Sequence, residues 1–183
     1  MIGLVVLAIL VLIALYFWML YNRMVTGRLR VREAISQIDV QLKRRADLIP
    51  NLVESVKGYA KHEKTVFEEV THARAALMGA TSAGQKAAAN DQLAGALKSL
   101  FAIAENYPKL EASQNFKELQ SELSDTEDKV AYSRQFYNNV VMDYNTSLKV
   151  FPNVLFASSL GFKEEEFFGD LSVEERQAVK VSF

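Results

Sequence analysis

The sequence has no cysteine, only three prolines and eight glycines, and only two histidines. Without cysteine there are no disulfides, no thiolate metal sites and no cysteine nucleophile, and nothing reports the redox compartment. So few prolines and glycines leave few forced breaks, as long helices require. Neither sign of charge dominates. A formal net charge of -1 over 183 residues points away from nucleic acid and from a strongly anionic partner. One stretch lacks charge altogether: Met1 to Asn22 holds no charged side chain. Ile2 to Leu20 is apolar apart from Gly3 and the Tyr16-Phe17-Trp18 cluster near its end. A run of this length is about enough to cross a hydrocarbon core of ~30 Å, and the aromatic cluster falls where an interfacial belt sits. A cleaved signal peptide would want a basic start, a shorter apolar core and a small-residue cleavage site. MIGLVV has no basic side chain, and no such site follows. A buried core helix rarely stays apolar all round for so long. We therefore read residues 1–22 as a single-pass transmembrane anchor in the cell membrane. Arg23, Arg28, Arg30 and Arg32 follow it, and no Lys or Arg precedes it. That bias places the N-terminus outside and the following domain in the cytoplasm. Arg23, Arg28 and Arg30 are then the candidates for contact with lipid headgroups.

What the chain does have is helical rhythm. Val31, Ile35, Ile38, Leu42, Ile49, Leu52, Val56 and Tyr59 recur at alternating steps of four and three. Such a stripe winds down one helix face and packs with the slight supercoil of a coiled coil. Pro50 removes a backbone donor and crowds the carbonyl of Ala46. The stripe keeps its phase through it, which predicts a kinked helix rather than two helices. Further helices are predicted over Lys64 to Met78, with Val66, Val70, Ala73 and Leu77 on one face, and over about Lys86 to Tyr107, with Leu93, Leu97, Leu100 and Ala104. Gly79 to Gln85 reads as the loop between them, and Pro108 as a stop or start. The next helix, Ala112 to Ser147, carries Phe116, Leu119, Leu123, Thr126, Val130, Ser133, Tyr137, Val140 and Tyr144. Phe151 and Pro152 open a short apolar helix that Gly161 closes. The expectation is an all-α fold: an N-terminal transmembrane helix continuing into an elongated antiparallel helical bundle. Residues 1–22 are the anchor, 23–162 the bundle, and 163–183 a partly ordered tail.

These residues resemble the LemA family of bacterial membrane proteins. The likeness is strongest in SQIDVQLKRRADLIPNLVESVKGYAKHE, Ser36 to Glu63. It continues through Tyr21-Asn22, Tyr107-Pro108, Phe116, Leu119-Gln120, Glu122-Leu123 and Thr126-Glu127. Arg134, Tyr137-Asn138, Tyr144-Asn145, Phe151-Pro152 and Gly161-Phe162 complete it. The chain departs at Ile35, where the family pattern has a large aromatic side chain. The resemblance implies a single-pass anchored helical bundle with no cofactor and no enzymatic activity attached. It also implies a part in membrane-protein quality control, since genes of this family often neighbour those of HtpX-like membrane zinc proteases. Partners are then the bilayer and another envelope protein, with self-association left open.

Candidate chemistry is sparse. His62 and His72, with Glu63, Glu68 and Glu69 nearby, are the elements of a metal-dependent hydrolase. The H-E-x-x-H spacing is absent, and solvent-facing histidines are the plainer reading. Lys43 and Arg44 offer an interaction surface or a solvated face, with Asp39 placed to support Lys43. Arg45 lies on the apolar stripe itself. A buried arginine needs a carboxylate, and Asp125, Glu127, Asp128 and Asp143 are the candidates. Tyr137-Asn138 and Tyr144-Asn145 repeat at seven residues, a ladder that could grip a peptide or bond to a neighbouring helix. The reading that results is a membrane-anchored scaffold or adaptor, with the hydrolase as its rival.

Overall fold

The computed structural model describes residues 1–60 and 62–169. It is all-α among the described residues. Helix α1 runs from Ile2 to Lys57, 56 residues without interruption, or about 84 Å at the usual rise. It carries the apolar run directly into the packed stripe. Pro50 lies inside it, with its ring in solvent, so the stretch is one helix and not two. The remaining elements are α2, Lys64–Gly79, α3, Ala83–Ala104, α4, Pro108–Glu111, and α5, Gln114–Lys149. A 3-10 turn follows at Asn153–Leu155.

Two compact units divide the chain, and α1 and α5 contribute to both. The first combines residues 1–36 with 135–166. Its core holds Met24, Val31 and Ala34 of α1 and Tyr137, Val141, Tyr144 and Leu148 of α5, with Ala157 and Phe162 beyond. Close approach of α1 and α5 needs Gly27. A Cβ there would stand 3.0 Å from Cδ2 of Tyr144, so the glycine's cost in a helix interior is offset by the ring that lies against it.

The second unit combines residues 37–134 with Phe167 onward. Ile38, Leu42, Ile49, Leu52 and Val56 of α1 are buried here, each contributing roughly 1.5–3 kcal/mol on leaving water. α2 adds Phe67, Val70, Ala73 and Leu77, and α3 adds Leu93, Leu97 and Leu100. Alanines 83, 87, 89, 96 and 104 of α3 are buried as well, and their small side chains let neighbouring backbones come close. Within this unit α1 and α5 are antiparallel: Gln37 and Val40 share a groove with Tyr132 and Ser133, while Arg44 meets Glu122.

The pattern needed several adjustments, among them Val66 of α2, half-buried where Phe67 beside it is buried, and the short helix predicted from Phe151 to Gly161, which is a 3-10 turn at Asn153–Leu155. Ala34 is fully buried while Ile35 is half-buried, because the face turns slightly from the four-three stripe where no large side chain holds it. Tyr59 is exposed and Ala60 buried, since α1 ends at Lys57 and helical phase no longer applies. Of the neighbours Val140 and Val141 on α5, Val141 is buried and Val140 half-buried; a four-residue step from Tyr137 reaches Val141. The loop predicted over Gly79 to Gln85 contracts to three residues, because Ser82 and Gln85 form a reciprocal capping box that starts α3 at Ala83. Of the tail predicted from 163, residues 163–169 are described, and Phe168 in them is 1 % exposed. The rest, 170–183, lies outside the described residues.

Candidate functional site

Arg45 is 2 % exposed. It projects from α1 beneath α3 and α5. Its Nη1 donates to Oδ1 of Asn90 on α3 at 2.7 Å. Its Nη2 reaches Oε2 of Glu127 on α5 at 3.5 Å, a long contact. The guanidinium side chain is 3 % exposed and the glutamate 62 %. Burial pushes the Arg45 pKa down, and Glu127 and Asp91 oppose that shift. The amide of Asn90, which no periodicity flagged, is thus the tighter partner. Arg45 also lines an open cavity of about 800 Å³ with Leu97, Lys98, Phe101 and Glu127.

The other carboxylates named from the sequence are elsewhere. Asp125 accepts from Lys129 at 2.7 Å and faces Arg44 at 3.8 Å. The Lys129 hydrogen bond holds its carboxyl below the usual range. Asp128 borders the groove with Val40 and Tyr132. Asp143 belongs to the first unit and lines a cavity beside Arg23 and Arg30. Arg44 is engaged by Glu122 as well as by Asp125. It is therefore part of the α1–α5 seam. Lys43 pairs with Asp47 at 2.7 Å, and Asp39 pairs with Lys86 of α3 at 2.6 Å. The i, i+4 support from Asp39 is thereby corrected: α3 offers Asp39 a better-shielded cation, since the Lys86 side chain is only 14 % exposed. Arg23 and Arg30 are exposed, whereas Arg28 is half-buried and stands 4.0 Å from Glu165.

Two members of the tyrosine-asparagine repeat, Tyr137 and Asn145, bond a segment of the chain itself. Tyr137 donates its hydroxyl to the carbonyl of Glu166 at 2.7 Å. Asn145 accepts from the Glu165 amide and donates to its carbonyl, both at 2.9 Å. Both of these partners, Glu165 and Glu166, lie in a non-helical stretch. Burial first, then Glu165 and Glu166, push the Tyr137 pKa up to about 12. The unfolded phenol ionises near 10, so stability is fully present below that pH and falls as pH rises toward 12. A fall of about 2–3 kcal/mol across that window is expected. Denaturant titrations at stepped pH should show a flatter fall in Tyr137→Phe.

His62 lies in the connection after α1, and His72 is exposed on α2. Glu68 and His72 border a shallow apolar groove with Phe67. α1 ends at Lys57 and α2 starts at Lys64, so His62 and Glu69 do not share one helix. Among the described residues, no three His, Asp or Glu side chains come together to hold a metal ion.

What fold and site define is an all-α protein whose first helix is long and apolar enough to cross a membrane and is compatible with a single-pass anchor. The chain belongs to the LemA family, whose model matches residues 34–183. It is 27 % identical over 176 residues to the magnetosome protein MamQ of Magnetospirillum gryphiswaldense, covering 82 % of this chain and 65 % of that one. Magnetosome protein MamQ 2 of Paramagnetospirillum magneticum is 26 % identical over the same shares. Protein LemA of Metamycoplasma hominis is 26 % identical over 134 residues, 71 % of this chain and 60 % of its own. The chain thus spans about 65 % of the length of the MamQ proteins it matches.

Proposed function

We propose that this protein is a membrane-anchored helical scaffold that holds another envelope protein beside the bilayer by surface contact. One observation carries the reading: α1 passes from its apolar run into the packed stripe as a single helix. No loop intervenes to uncouple what binds the helices from the membrane. Val40 and Tyr132, 64 % and 74 % exposed, border the groove of the second unit and supply apolar area for a partner. The family resemblance makes an HtpX-like membrane protease the first partner to test. The arginines after the apolar run support an outside N-terminus and cytoplasmic helices.

A photo-crosslinking side chain at Tyr132 in native membranes should capture one defined envelope protein. The adduct should persist in the His62→Ala, His72→Ala double variant, because contact needs neither imidazole. No adduct, together with loss of complementation by the double histidine variant at normal membrane levels, would favour a hydrolase. Orientation has its own readout. A reporter fused after residue 183 is expected to be active inside the cell, and activity only outside would reverse the assignment.

A further inference from the structure

The segment after α5 exposes apolar side chains in the wrong place for a water-facing turn. Val150, Phe151, Val154, Leu155 and Leu160 are 49 %, 80 %, 52 %, 61 % and 50 % exposed. From Val150 to Phe162 there is no charged side chain, and Lys149 and Lys163 bracket the stretch. Asn153, Ala157 and Phe162 turn inward and are buried, so the outward apolar set is presented by an ordered knob. Contiguous exposed apolar surface of this kind marks an interaction site.

Where the knob stands says what covers it. The Phe156 ring meets the Phe17 ring edge-on, with centroids 4.9 Å apart. Phe162 meets Tyr21 at 5.7 Å. Both pairs lie within one compact unit. Phe17 belongs to the apolar run of α1, three residues before its last apolar position, Leu20, or ~4.5 Å along the axis. A side chain packed on Phe17 therefore shares its level.

We propose that Val150–Phe162 is a second membrane contact, which seats Phe151, Val154 and Leu155 in the interfacial layer of the bilayer that α1 spans. This rests on α1 being a membrane span. Interfacial elements bury apolar side chains about 5–10 Å into the headgroup and acyl boundary, which is the depth of an aromatic belt. Lys163 and the exposed Arg23 and Arg30 supply cations at headgroup level, where long stems let charged heads reach water, while Lys149 is paired with Glu164 at 2.8 Å. Two contacts in place of one restrain how α1 tilts and rotates.

The test uses the full chain in phosphatidylcholine–phosphatidylglycerol liposomes. The sequence has no cysteine, so single nitroxide labels at Leu10→Cys, Leu155→Cys, Phe151→Cys and Tyr132→Cys report one site each. Labels at Leu10, Leu155 and Phe151 should collide several-fold more with oxygen, and several-fold less with a water-soluble nickel chelate, than the label at Tyr132. If the Leu155 and Phe151 labels match Tyr132 while Leu10 reads as lipid, this proposal falls and the span stands. A Leu10 label that reads as water removes the span and this proposal with it. Labels at Leu155 and Phe151 shielded from both reagents mean that protein, such as a second copy, covers the knob, and the lipid contact is overturned.

Discussion

Truncating Phe168 to alanine is expected to cost about 3–5 kcal/mol, the usual range for emptying a buried phenylalanine site. The ring is 1 % exposed and belongs to the second unit. The glycine next to it is locked in place. Arg134 donates from Nη2 to the Gly169 carbonyl at 3.0 Å. Gly169 has a φ of +65°, and a Cβ there would stand 2.7 Å from that same nitrogen. The backbone at this point can only be glycine without displacing Arg134. Urea titration of the full chain in mild-detergent micelles, followed by circular dichroism, reads the loss as a lower midpoint. Tyr132→Ala, at a 74 % exposed position, serves as control and should stay within about 0.5 kcal/mol. An unchanged midpoint in Phe168→Ala would show that the ring contributes nothing to the folded unit.

Arg45→Ala is expected to cost about 2–4 kcal/mol, from the buried side-chain packing that is lost and from the amide left unpaired on Asn90. The partner variants should rank by burial. Asn90→Ala removes the 2.7 Å contact and leaves buried N–H groups unpaired, at about 1–3 kcal/mol. Glu127→Gln changes a side chain that is 62 % exposed and should cost less than about 1 kcal/mol. Arg45→Met retains the packed stem and should recover part of the loss. If Glu127→Gln proves worse than Asn90→Ala, the ion pair dominates and the amide is secondary.

Much of the fold was legible because large aliphatic side chains announce a helical face. Ile38, Leu42, Ile49, Leu52 and Val56 stood on the four-three stripe and are in the core. Ala34 and Ala46 are as deeply buried, yet alanine serves equally on exposed faces and gives no periodic signal. Arg45 could be singled out because it interrupts an apolar stripe. Asn90 could not, since one polar residue in an alanine-rich helix breaks no pattern. Glu127 was one of four acidic candidates; choosing among them requires the rotation of α5, which sequence spacing leaves open by a residue. Phe168 was out of reach because residues 163–169 follow no period, and its burial depends on contacts distant in sequence.

The continuity of α1 also sets a timing problem in synthesis. Its apolar run is made before the face that carries Ile38 and Arg45, which emerges directly behind it. That face waits until the chain from Lys57 to Lys149 has been made. At about 5–20 residues per second the wait is on the order of 5–20 s. During it, α2 and α3 can pair locally, but Arg45 lacks Glu127 and the seam of Arg44 with Glu122 does not yet exist. The nascent protein thus carries an unfinished apolar stripe directly behind its apolar run. Its yield should depend on how quickly translation delivers α5, and a stall after α3 should be far more harmful than one of equal length after α5.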